Sequence, residues 1–365
     1  MRVAIIGGGI IGLGIADALL RETRVRDSLE LTIFDAHEPG GASAKAAGIL
    51  GAQFESHESS PFVTDLVEAR ASFERWLVDF GGPSALERVD YRKAGVLRLA
   101  TSARRAEELR AIVEWQSASG LRAAYVSPWE LEKIEPALAS FAHGAAHFPD
   151  DAQVEPRLLL ALLETSLRER GAMFVDSRVL AVESAPSAAT IRVEVGASPR
   201  ESRPAESATH SADFVVVANG AWASRLTLTA GKTALPLDAP PVRGQMIRLA
   251  TARRHFGPVI EVDGTYALQR AQGPIDVGAT VENVGFDAGT TADAAAALLR
   301  TVTRMIPEID GAPIAEQWAG LRPLAPSPRV ELVDSRVLVA VGHYRNGILL
   351  APTTARKAAA IVARL

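Results

Sequence analysis

Val3-Ala4-Ile5-Ile6-Gly7-Gly8-Gly9-Ile10-Ile11-Gly12, close to the start of the chain, decides how the rest is read. Four short apolar residues in succession predict a strand buried on both faces, as in a parallel sheet. Gly7, Gly9 and Gly12 then complete G-x-G-x-x-G. The first glycine permits a tight turn, the second lets backbone approach a pyrophosphate, and the third lets a helix pack on the strand. Ile10, Ile11, Leu13, Ile15, Ala16, Leu19 and Leu20 fall on one face of that helix, whose first amides and dipole favour phosphate. A dinucleotide is expected at this turn. The motif alone does not choose between NAD and FAD, and glycine-rich turns of this kind also serve packing.

A second apolar run, Leu31 to Phe34, ends in Asp35, at roughly the twenty-residue separation where a carboxylate receives ribose hydroxyls. The small-residue run Pro39 to Gly48, containing Ser43, Ala47 and Gly48, lets chain pass close to something flat or extended; a plain loop fits it equally well. Phe62, Leu66, Ala69, Phe73, Trp76, Leu77 and Phe80 recur at helical spacing and stop at Gly81 and Gly82, with Trp76 expected in the core.

Short strands and helices between Gly82 and Pro149 predict an inserted second domain. Asp150 and Asp151, ahead of Pro156 and a Leu-rich helix, are read as helix-start acids rather than a metal site. Strands are expected at Met173 to Val175, Val179 to Glu183, Ile191 to Val195 and Asp213 to Ala218. The Ser-, Pro- and Ala-rich stretch Gly196 to Ala212 is expected to be a surface loop. Asn219, Gly220, Ala221 and Trp222 turn sharply where the fourth of these strands meets the nucleotide. From Pro240, alternating runs predict an antiparallel sheet, then a helix from Ala292 to Met305, a strand from Val337 to Val341 and a last helix to Leu365.

Composition narrows the function. The 365 residues are 48% hydrophobic and 22% charged, enough for a large core and two domains. A net charge of -4 gives no general attraction to nucleic acid or anionic membrane. No apolar run approaches the roughly 18 residues of a spanning helix, and Met1 abuts the first strand, so a cytoplasmic protein is expected. Cysteine is absent, which removes disulfides, thiolate metal sites and cysteinyl attachment of a cofactor.

Taken with the opening glycines, Trp318-Ala319-Gly320-Leu321-Arg322-Pro323 and Gly342-His343-Tyr344-Arg345-Asn346-Gly347-Ile348 resemble the glycine oxidases of thiamine biosynthesis, a branch of the D-amino-acid oxidase family of flavoproteins. The resemblance covers nearly the whole chain. It implies an α/β fold, with a Rossmann-like FAD domain of the glutathione-reductase type (1–81, 149–224 and 315–365) beside an α+β substrate domain on an antiparallel or mixed sheet (82–148 and 225–314). It also implies non-covalent FAD, oxidative deamination of glycine, small amines or D-amino acids with molecular oxygen, no metal, and a possible homo-oligomer. A dehydrogenase of the same fold acting on sarcosine, proline or D-amino acids, or an FAD-binding protein without turnover, would share these motifs.

Position by position, Arg322 resembles the arginine that pairs with the substrate carboxylate, Tyr266 the tyrosine closing that pocket, and Arg345 a second polar residue beside it. The expected cofactor contacts are Gly7, Gly9, Ile10, Ile11, Gly12, Asp35, Ser43, Ala47, Gly48, Val179, Gly220, Trp222, Arg322, His343, Arg345, Asn346, Gly347 and Ile348. Gly264 stands where a histidine can occur in the family, and Gln269 replaces a proline before Arg270. The residues carry the same chemistry without the resemblance. Pro323 biases Arg322 to extended backbone, and a guanidinium grips a carboxylate through two parallel hydrogen bonds. The amides at Gly347 would face the flavin's pyrimidine edge. His343, a lone histidine beside glycine, reads as a satisfied loop residue, since hydride transfer to flavin needs no protein base if the amine is already neutral.

Overall fold

The computed structural model describes residues 1–22, 29–138, 142–195 and 206–364. Strand β1 (Arg2–Ile6) lies inside a six-stranded sheet ordered Arg329–Asp334, Val337–Val341, Phe214–Val217, β1, β2 (Glu30–Asp35) and Met173–Asp176. Every neighbouring pair is parallel except the hairpin Arg329–Asp334 with Val337–Val341. Helix α1 (Ile10–Arg21) covers one face with the 61–81 and 347–362 helices, closing a core around Ile5, Ile15, Leu19, Phe73, Leu77 and Leu349. Trp76 joins this core edge-on to Phe73 and Phe80, with ring centroids 5.3 and 5.0 Å apart.

Gly7 and Gly12 make the β1–α1 turn possible. Gly7 has φ +107°, and a Cβ there would come within 2.5 Å of the Ala218 carbonyl oxygen. A Cβ on Gly12 would overlap the Gly7 carbonyl oxygen, so any side chain lifts the helix off the strand.

The second sheet has eight strands, ordered Ile314–Pro323, Pro241–Leu249, Ile275–Gly278, Thr265–Gln269, Val259–Val262, Val96–Leu99, Ala145–Phe148 and Ala124–Val126. It is antiparallel apart from Val259–Val262 beside Val96–Leu99. Ile314–Pro323 pairs along its length with Pro241–Leu249, so this strand belongs to the second sheet although the expected boundary at 314/315 falls at its start. Among the described residues no helix is long and apolar enough to cross a membrane.

Two sequence expectations are corrected. The stretch expected as a loop, Gly196 to Ala212, contains strand Glu206–Ala212, paired antiparallel with Ala189–Val195; residues 196–205 lie outside the described residues. It is the edge strand of a five-stranded sheet, where solvent on one side permits a polar sequence that hides the strand pattern. Asp151 is not a helix-start acid. Glu155 caps that helix, and Asp151 is fully buried, accepting the N–H groups of Gln53 (3.2 Å) and Phe54 (2.8 Å) and pairing with Arg70 at 2.6 Å.

Candidate active site

The carboxyl ends of β1, β2 and Phe214–Val217 open into a cavity of about 620 Å³ that continues to Arg322 and Tyr266 on the eight-stranded sheet. Its location outside the carboxyl ends of parallel strands is where such sheets bind ligands. All the expected site residues line it except Gly12, which lies under the turn where the helix packs on the strand.

Two helix N-termini meet this cavity. At α1, Gly9 supplies no side-chain cap, and the Ile10 N–H donates to Ser43 Oγ at 3.0 Å. At the 347–362 helix, Asn346 likewise makes no side-chain cap, and Gly347 and Ile348 line the cavity. Orphan amides and two positive dipole ends therefore face one space, which favours anions at both places. Asp35 Oδ2 accepts the Gly8 N–H and Oδ1 the His37 N–H, both at 2.9 Å, fixing the carboxylate at the rim of the glycine turn. Gly48 has φ +78° and abuts the Val154 carbonyl oxygen; Ala47 O accepts from Arg270 Nη2 at 2.8 Å. Trp222 stacks obliquely on Phe286, centroids 5.7 Å apart, and Val179 and Gly220 complete that stretch of wall.

At the other end, Arg322 Nη1 donates to Thr280 O at 3.1 Å, and among the described residues no carboxylate pairs with it. An arginine charge exposed to a cavity without a counter-ion is poised for an anionic ligand. Tyr266 is buried, which pushes its phenol up from the usual value, so it meets ligand as a neutral hydroxyl. Arg345 is paired with Glu55 at 2.9 Å. His343 is fully buried, with Nε2 3.0 Å from Thr354 Oγ1, and burial lowers its imidazole to about 4; it is neutral at physiological pH.

The donor set fits FAD: a helix end behind glycines whose N-cap residue has no side chain, a strand-end carboxylate, and a second helix end in the same cavity. The chain matches, over residues 2–361, the family DAO, described as FAD dependent oxidoreductase. The chain belongs to this family.

Among DAO relatives, the glycine oxidase of Geobacillus kaustophilus is 30% identical over 99% of this chain and 93% of its own length. That of Pseudomonas putida is 30% identical over 97% and 92%. The bifunctional protein ThiO/ThiG of Synechocystis is 29% identical over 97% of this chain but only 50% of itself. The crystal structure of the G. kaustophilus glycine oxidase superposes with a TM-score of 0.86 and 29% identity, covering 100% of this chain and 95% of the other.

Departures from the family pattern have local causes. Gly264 is the second residue of the Asp263-Gly264 hairpin turn, both with positive φ (48° and 87°), and does not line the cavity. Gln269 is buried, its Oε1 accepting from His255 N–H at 2.7 Å and its Nε2 donating to Arg253 O and Gly273 O at 2.7 Å.

Sequence reasoning missed Gly244, Met246, Lys45 and Glu55 in the lining of the DAO cavity. Glycine at 244, opposite the Arg322 segment in the paired strands, was a signal available in principle. Glu55 gave none, because its partner lies 290 residues away.

Proposed function

We propose that this DAO-family chain is a glycine oxidase, converting glycine and other small amines or D-amino acids, with oxygen and water, to the oxo acid, ammonia and hydrogen peroxide. The observation that carries the reading is Arg322, a guanidinium without a carboxylate partner among the described residues, at one end of a cavity whose other end is built for a dinucleotide. The glycine oxidases aligned along nearly the whole chain support it.

The α1 amides would hold the pyrophosphate, Asp35 the ribose hydroxyls, and the Gly347 and Ile348 amides the pyrimidine edge of a non-covalent FAD. When bound, FAD supplies the acceptor for the two electrons and hydrogen leaving the substrate α-carbon, and oxygen then takes the electrons. Arg322 fixes the substrate carboxylate through two hydrogen bonds, which turns one end of a small amino acid and leaves the amine free. Tyr266, kept protonated by burial, closes the pocket as a hydroxyl. With His343 held neutral and bonded to Thr354, no side chain is needed as base if the amine enters neutral. The relatives named ThiO/ThiG support placing the activity in thiamine biosynthesis.

Anaerobic mixing of the purified flavoprotein with glycine, sarcosine, D-alanine and D-proline tests this directly. Loss of oxidised-flavin absorbance with glycine, followed on aeration by stoichiometric peroxide, is expected. Flavin left oxidised by all four overturns the reading; reduction without peroxide makes the protein a dehydrogenase.

A further inference from the structure

The substrate end of the cavity holds two arginines in different electrostatic states. Arg322 has a backbone oxygen as its partner, whereas Arg345 Nη2 is 2.9 Å from Glu55 Oε1. The pair is partly shielded, with 33% of the Arg345 and 20% of the Glu55 side chain exposed, and both residues line the cavity. Arg322, Arg345, Glu55 and Tyr266 line the same cavity, and the charges of the first three all bear on the Tyr266 hydroxyl. Counting formal charges there, two cations and one anion leave one positive charge, matched to one carboxylate.

The loop that carries Glu55 is held in place rather than hanging free. Arg98, buried, donates Nη2 to the Phe54 carbonyl at 2.9 Å, and its Nε is 2.8 Å from Glu261, also buried. The guanidinium also lies over the Phe54 ring, 4.6 Å from its centroid. A residue anchored on this buried pair cannot swing away at little cost when a second anion approaches.

We propose that Glu55 is a specificity-determining residue: by pairing with Arg345 it restricts the site to amines bearing a single carboxylate, and excludes those bearing a second anionic group. An aminodicarboxylate would put one carboxylate on Arg322 and the other against Glu55, where like charges meet in a shielded pocket. Removing the Glu55 charge would free Arg345 as a second carboxylate anchor. The inference rests on the reading of Arg322 as the carboxylate anchor.

Iminodiacetate, which is glycine with a second carboxymethyl group on nitrogen, is the probe, and the readout is kcat/KM for iminodiacetate divided by that for glycine. Glu55→Gln should raise this ratio at least about tenfold, a change of 1.36 kcal/mol in transition-state discrimination. Glu55→Asp, which keeps the charge, should return it towards the wild-type value. A merely structural role would lower both substrates together and leave the ratio unmoved; that result overturns the proposal. If Glu55→Gln does not retain FAD, the wild-type holoenzyme decides: acetate should perturb the flavin spectrum at concentrations at least about tenfold lower than malonate at fixed ionic strength. Equal or tighter binding of malonate overturns it. Wild-type flavin that no amine reduces defeats the functional reading itself, whereas glycine oxidation with an unmoved ratio defeats only the role of Glu55.

Discussion

The guanidinium of Arg322 occupies the space that a Cβ on Gly244 would fill. The two residues sit on paired strands, and the absence of a side chain at 244 is what lets Arg322 fold back over its neighbour and reach Thr280 O. Gly244→Ala should displace this head group while leaving its charge in place. Overpacking of this kind costs about 1 to 3 kcal/mol, so kcat/KM for glycine should fall about tenfold or more, with flavin content unchanged. Steady-state kinetics on variant with normal flavin absorbance checks it; wild-type kcat/KM would mean that Arg322 tolerates the methyl and does not need this position.

Arg322→Ala should lower kcat/KM for glycine by at least about a hundredfold, since a charge-assisted bidentate contact is worth more than one factor of ten. Arg322→Lys keeps the charge, loses the planar fork and should recover only part. Peroxide production from amino acids and from simple amines lacking a carboxylate separates the roles: only the amino acids should suffer. Equal loss for both classes would remove Arg322 as the anchor.

Asp35→Ala should weaken FAD binding by about ten- to a hundredfold, the range for losing a hydrogen bond to a charged acceptor. Part of that loss arises inside the protein, because the same carboxylate ties the Gly8 and His37 amides. Titration of apoprotein with FAD measures it, and acid denaturation of wild-type protein should release the flavin free of polypeptide. An unchanged dissociation constant places the ribose elsewhere.

His343 predicts a pH dependence of stability. Its imidazole is lowered to about 4 by burial, against 6.5 for the ordinary group, so the unfolded chain takes up this proton first. Its contribution is complete above about pH 6.5 and falls as pH drops towards 4. Between pH 7 and 5 the unfolding free energy of the wild type should fall by about 2 kcal/mol more than that of His343→Gln. Asp151, pushed up to about 6 by burial, acts in the opposite sense but equally in both proteins. Denaturant titrations at the two pH values check the difference, and identical losses would show that His343 is not buried as a neutral ring.

The elements around the first glycines were legible because their determinants are local. Apolar runs, glycines and a strand-end Asp35 lie within a few dozen residues, and the same holds for Ala292–Met305 and Val337–Val341, whose bounds agree with the structure. What escaped depends on partners that the linear chain does not display. Glu206–Ala212 is polar because only one side of it is paired. Asp151 looks like a helix cap until Gln53, Phe54 and Arg70 close around it. Glu55 is an ordinary loop acid until the turn before the last helix brings Arg345 beside it.

The placement of that last helix also ties two segments far apart in the chain into one cavity. A Cβ on Gly14 of α1 would stand in ordinary contact, 3.7 Å, with Ala351 O and Ala355 Cβ. In chain order the glycine turn precedes, by most of the described fold, the helix that lies against α1. A cavity lined by both helix ends therefore requires residues 347 and 348 as well as the glycine turn. Without residues 347–362 the α1 flank that packs on Ala351 and Ala355 would lose its cover.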